Sequence, residues 1–80
     1  MTGAEIEQSL RTFFVDTLEL NPELLKPEAS LKNDIGLTSL DVLDIRLFVE
    51  RTYGWKMTRE DIMCLYTFSD LLSSIESHVG

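Results

Sequence analysis

Few side chains in this sequence are of a type that does chemistry, and their number and spacing narrow the options. Cys64 is the only cysteine and His78 the only histidine. One cysteine rules out an internal disulfide and a cysteine-rich metal site. One histidine leaves no Ser-His-Asp or Cys-His arrangement and no ordinary zinc site. Cys64 reads as a small core or boundary residue, and His78 as a solvated tail residue. Ser39 is different. It lies in "DIGLTSLDVLDI", residues 34–45, at the seam between a glycine-containing turn and an apolar, acidic stretch. Thr38 already serves as the helix cap, which makes Ser39 the first helical residue, with a hydroxyl that capping does not need. It should point outward beside free N–H groups and the positive end of the helix dipole, where phosphate is favoured. A serine at a helix start is ordinary by itself, so its surroundings must decide its role.

Those surroundings read as helices. The pattern Thr-x-x-Asp/Glu is a capping box: the threonine hydroxyl accepts from the backbone three residues on, and the acid reaches back to the threonine amide. It occurs at Thr2/Glu5, Thr38/Asp41, Thr58/Asp61 and Thr67/Asp70, each ahead of an apolar-periodic stretch. Ser73/Glu76 has the same spacing but falls inside a periodic run. The first helix is expected over about 3–18, with Ile6, Leu10, Phe13, Phe14 and Leu18 on one face and Asn21-Pro22 ending it. Residues 19–37 form a long connection, which Leu24, Leu25, Ala29, Leu31 and Ile35 should fasten to the bundle. The second helix should cover roughly 39–52 and stop before Gly54, the short third about 59–64, and the fourth about 68–78. Leu71, Leu72, Ile75 and Val79 would face inward on the fourth. No stretch alternates with period two. The expectation is all-α: a four-helix bundle with a long first loop and a short third helix, one domain over residues 1–80.

Composition limits what such a bundle can do. Eighty residues that are 44% apolar form one small core, too small to wall a deep catalytic pocket. The net charge of −7 argues against nucleic acid and for basic partner proteins. The charge is uneven: residues 1–45 carry −6 and residues 46–80 carry −1, because Arg46, Arg51, Lys56 and Arg59 offset the later acids. The start "MTGAEIEQSL" has no basic region of a signal peptide, and no apolar run approaches the ~20 residues of a membrane span. A reduced, soluble, cytoplasmic protein that binds no membrane is expected.

The second helix has more apolar residues than one buried face requires. Ile45, Phe48, Val49 and Thr52 form a stripe suited to the core, while Leu40, Leu43 and Leu47 form a second stripe beside Asp41 and Asp44. Either the long connection covers this second stripe, or it is an exposed surface for partner docking.

Taken together, "DIGLTSLDVLDIRLFVERTYGWKM" resembles the modification-site helix of the acyl carrier protein family, with its Asp-Leu-Gly-x-Asp-Ser-Leu motif, amphipathic helix and aromatic-Gly turn. "LELNPELLKPEASLKNDIGL" before it and "LYTFSDLLSSI" after it extend the resemblance to essentially the whole chain. The resemblance implies a carrier that is not an enzyme, with no catalytic or metal-binding residue, acting as a monomer. Ser39 would carry a covalent 4'-phosphopantetheine arm added by a phosphopantetheinyl transferase (holo-synthase), and the arm's thiol would hold acyl groups as thioesters. Leu40, Leu43 and Leu47 would dock on acyl-loading and acyl-processing enzymes such as a ketosynthase or acyltransferase, framed by Asp41, Asp44 and Glu50. The bundle interior near Phe48, Val49, Ile62 and Leu65 would shelter cargo or simply pack as core. Three features depart from the family pattern. Thr38 replaces the aspartate before the serine, Arg46 and Arg51 put positive charge on a helix that is usually acidic, and Trp55 follows the turn glycine. They point to a specialised carrier, for polyketide or other secondary-metabolite assembly, rather than the housekeeping fatty-acid one. The alternatives are an aminoacyl or peptidyl carrier, whose Gly-Gly-x-Ser site Leu37-Thr38 does not match, and an unmodified helical interaction module.

Overall fold

The computed structural model describes residues 2–79. Four α-helices carry the chain: α1 (Gly3–Asp16), α2 (Ser39–Tyr53), α3 (Arg59–Met63) and α4 (Phe68–Val79), with a 3-10 turn at Pro22–Leu24. The starts of the helices follow from the caps. All four Thr-x-x-acid pairs close in both directions, threonine hydroxyl accepting from the acid's amide and carboxylate accepting from the threonine amide. Each pair satisfies two of the orphan donors that a helix N-terminus leaves. Asp70 also accepts from the Tyr66 amide. These bonds favour the charged carboxylate, so Glu5, Asp61 and Asp70 titrate below the usual carboxylate range, the threonine backbone N–H being the largest cause.

The end of α1 differs from expectation. The helix stops at Asp16, two residues before Leu18 and well ahead of Asn21-Pro22. The Thr17 and Leu18 amides both donate to the Phe13 carbonyl, Glu19 turns left-handed at φ 56°, and the Leu20 amide donates to Phe14. Asn21 instead caps the 3-10 turn, accepting from the Glu23 amide, with Pro22 in the first position that suits it. Beyond the connection, α2 stops where expected, on Gly54 in the left-handed conformation.

The connection is a packed crossover. Leu25, Ala29, Leu31 and Ile35 are buried, whereas Leu24 rides outward on the 3-10 turn and does not help to fasten it. An isolated antiparallel bridge between Ser30 and Thr67 ties the connection to the start of α4. There the Leu31 amide donates to Tyr66 and the Phe68 amide to Ala29. Arg11 adds a hydrogen bond to the Leu25 carbonyl.

The core takes Ile6, Leu10, Phe13 and Phe14 from α1, Ile45 and Val49 from α2, Ile62 from α3, and Phe68, Leu71 and Ile75 from α4. Burying each such side chain contributes about 1.5–3 kcal/mol. Leu18, Phe48, Leu72 and Val79 are partly buried at its margin. Thr52, expected in the inward stripe of α2, is exposed. Its neighbour Tyr53 swings across to α1 instead, where its hydroxyl meets the Ser9 hydroxyl and the Ile6 carbonyl. Burial raises the Tyr53 phenol above its ordinary pKa, so it stays a neutral hydroxyl. Cys64 is exposed rather than a core or boundary residue. It follows Ile62 by two residues on a one-turn helix, so burying Ile62 turns Cys64 to the opposite side. His78 is exposed, as expected, and its ring stacks on Trp55 with centroids 3.8 Å apart.

Asp70 gives a pH test. Folding lowers its pKa, so its contribution is complete above the unfolded value of about 3.9 and is lost as pH falls through the folded one. Asp70→Asn should lower the urea midpoint at pH 7 and give a shallower fall in stability than wild type below about pH 4. Urea titrations at pH 7, 4 and 3 measure both effects.

Candidate functional site

Ser39 opens α2 at a junction that the surrounding residues hold firmly. Gly36 makes the turn before it at φ 75°, a conformation that a side chain would strain although space is available there. The Ile35 and Leu37 amides tie that turn back to the Ser30 and Leu31 carbonyls. Thr38 is extended and caps α2 reciprocally with Asp41, and its carbonyl accepts from the Val42 amide. Ser39 is exposed, and its hydroxyl has no hydrogen-bond partner among the described residues. The Ser39 and Leu40 amides likewise lack an acceptor among these residues. A free hydroxyl therefore stands beside two free donors at the positive end of a fifteen-residue helix. An anionic ester on that hydroxyl would find the donors already oriented.

The second stripe lies open. Leu40 is 74% exposed, Leu43 46% and Leu47 43%, and the connection packs elsewhere rather than covering them. Asp44 and Glu50 flank them on the surface. Asp41 belongs to the cap: its carboxylate is occupied by the Thr38 amide.

A cleft of about 400 Å³ opens beside Ser39 between the connection, α2 and α3. Its apolar lining includes Leu31, Leu37, Val42, Ile62 and Leu65. Lys32, Arg46 and Arg59 bring positive charge to it from three different elements. Of the four residues expected to line an interior shelter, Ile62 and Leu65 face this cleft. Phe48 faces a separate groove between α1 and α2, and Val49 is sealed in the core. The convergence of cations is absent from the sequence reading, because no spacing in the chain relates a loop lysine to arginines on two helices. Arg46 is further positioned by its Nε, which donates to the Met57 carbonyl at 3.1 Å.

The chain is similar to known proteins along nearly its whole length. Residues 8–75 match the model of the family described as "Phosphopantetheine attachment site". The chain is 33% identical over 79 residues to an acyl carrier protein of Coprothermobacter proteolyticus, covering 99% of this chain and 96% of the relative. It is 30% identical over 80 residues to an acyl carrier protein of Thermosynechococcus vestitus, covering 100% and 99%. An acyl carrier protein of Syntrophus aciditrophicus is 31% identical over 71 residues, with 89% of each chain covered.

The cap explains the threonine beside Ser39. Aspartate and threonine both cap helices, so what Thr38 gives up is a charge and not the junction. Thr38→Asp should keep stability within about 0.5 kcal/mol of wild type, while Thr38→Ala should cost about 1 kcal/mol. Urea denaturation monitored by helicity distinguishes the two.

Proposed function

Because the chain belongs to the acyl carrier protein family, we propose that Ser39 is the residue that bears its phosphopantetheine arm. A member of this family is an acyl carrier and not a catalyst: it takes covalently attached 4'-phosphopantetheine and works with a phosphopantetheinyl transferase and biosynthetic enzymes. The assignment to Ser39 rests on one observation above all, the exposed hydroxyl left free by the Thr38/Asp41 cap at the start of α2. In the transfer, Ser39 Oγ attacks the phosphorus that bears the pantetheinyl group of coenzyme A. The nucleotide portion leaves, and the serine proton passes to a base on the transferase. The Ser39 and Leu40 amides would be the groups placed to hold the phosphodiester of the attached arm. When bound, the arm supplies a thiol for thioester linkage. No base or deep active site is required of the carrier itself.

Docking falls to the open stripe. Leu40, Leu43 and Leu47 offer apolar contacts next to the attachment point, and Asp44 and Glu50 match basic patches on acyl-loading and condensing enzymes such as an acyltransferase or ketosynthase. Arg46 and Arg51 break the acidity of this helix. They favour partners whose own surface carries acids among its bases, as expected of a carrier dedicated to a specialised assembly line.

Two measurements test these readings. Incubation with coenzyme A and a promiscuous transferase should add one phosphopantetheinyl group to the wild type and none to Ser39→Ala, by intact mass. A wild type that stays unmodified with several transferases refutes the assignment. Separately, Leu47→Asp should reduce acyl transfer from a cognate partner at least tenfold, while its melting changes by no more than an exposed substitution does, about 0.5 kcal/mol. A large loss of stability would place Leu47 in the core.

A further inference from the structure

We infer that the groove between α1 and α2 is a contact surface for a second copy of this chain, with α2 of each protomer laid antiparallel on α2 of the other. The pairing requires neither attachment at Ser39 nor docking of an enzyme, and goes beyond both.

The order of charges along the groove carries the argument. Phe13 and Phe48 stack at its floor with centroids 4.2 Å apart, while Tyr53 meets Ser9 and Ile6. The two helices therefore run antiparallel along it, so Asp16 and Asp44 share one end and Arg51 stands toward the other. All three charged side chains are exposed, and the one ion pair among the described residues is Arg11 with Glu7. Asp44 and Arg51 are seven residues apart on one helix. That is about 10 Å along the axis, too far for them to pair with each other. The groove thus presents acid, apolar floor and base in sequence, with neither end neutralised by an ion pair from within.

A second copy fits because this pattern is its own complement. Leu47 and Phe48 lie midway between Asp44 and Arg51. A two-fold axis through that point lays α2 antiparallel on α2 and brings Arg51 of each protomer to the acidic end of the other. The same operation sets Leu47, exposed at the groove edge, against the half-buried Phe48 of the other protomer. A foreign helix would need acid, apolar and basic residues at the same spacing, which α2 already has. Opposing the contact is the net charge of −7 on each copy. That repulsion is long-range, and physiological salt screens it beyond about 8 Å while leaving close ion pairs in place. A single helix-to-helix contact is at the small end of protein interfaces, so the pairing is reversible and follows concentration. It covers Leu47 and Asp44, and withholds them from any other partner, while Ser39 lies eight residues earlier and stays clear.

The test is sedimentation equilibrium of the full, unmodified chain from about 0.02 to about 2 mM at physiological salt. Dithiothreitol keeps the exposed Cys64 thiol from linking copies. The wild type should rise from the mass of one chain toward that of two. Asp44→Arg and Arg51→Asp, both at exposed positions, should each weaken association about fivefold or more, with circular dichroism showing both folded. Asp44→Arg should do so although it lowers the net charge. An equimolar mixture of the two should regain the wild-type association, because one carries positive charge at both positions and the other negative charge at both. Arg59→Asp changes the net charge as Arg51→Asp does but lies outside the groove, and should behave as wild type. A wild type that keeps the mass of one chain throughout overturns the proposal and leaves the groove to another protein's helix. A mixture no more associated than its components, or an equal loss in Arg59→Asp, overturns it as well. Since the chain carries no arm and meets no enzyme here, these outcomes are separate from the failure of Ser39 as attachment residue or of the stripe as a docking surface.

Discussion

The contact through which Ile45 and Val49 join α2 to the core is narrow, and most of what the surface offers follows from that narrowness. These two are the only fully buried side chains of a fifteen-residue helix. A helix seated on so thin a seam leaves the rest of its circumference outside, which is how Leu40, Leu43 and Leu47 come to lie open without a defect in the packing. The seam is steadied by aromatic struts. Phe48 stacks on Phe13 with centroids 4.2 Å apart, and Tyr53 reaches the Ser9 hydroxyl and the Ile6 carbonyl of α1. Long side chains bridge the two helices at a distance, and the groove between them is the space that this spacing leaves.

A second constraint acts at the N-terminus of α2. A helix start must satisfy several amides, and here Thr38 and Asp41 satisfy only part of that demand. The unsatisfied remainder falls on Ser39 and Leu40. A residue with a cap of its own making would have consumed that capacity. By giving the cap to the preceding threonine, the chain keeps both the hydroxyl and the adjacent donors available at the same point. The local hydrogen bonding therefore leaves Ser39, which lies within the span matched by the family, as the unpartnered hydroxyl at this helix start among the described residues.

Much of this was legible in the sequence because capping is a local interaction. Each Thr-x-x-acid pair lies within one turn, so four helix starts could be placed by inspection, and Gly54 marked the end of α2 equally well. Where the outcome depended on distant residues, reading along the chain failed. Asn21-Pro22 suggested a helix to Leu18, but backbone bonds to Phe13 and Phe14 with a left-handed Glu19 closed it earlier. Periodicity put Thr52 inward, but the reach of Tyr53 to α1 decided that end of the helix. Met57, in the turn after α2, is buried with no periodic signal to announce it, and its carbonyl orients Arg46. The hydroxyl of the site was thus visible in twelve residues of sequence, while the cations around the cleft appear only once three separate elements are brought together.

The bridge between Ser30 and Thr67 has a mechanical consequence for that cleft. It fastens the connection bearing Leu31 and Lys32 to the base of α4 by two backbone hydrogen bonds, so this side is stiff. The opposite side is α3, a five-residue helix anchored by one buried side chain, Ile62. So short a helix has little cooperative stability of its own. The cleft is built like a jaw, with one limb fixed by backbone hydrogen bonds and the other a short helix held by a single buried side chain, while Ser39 stands on the capped α2 between them.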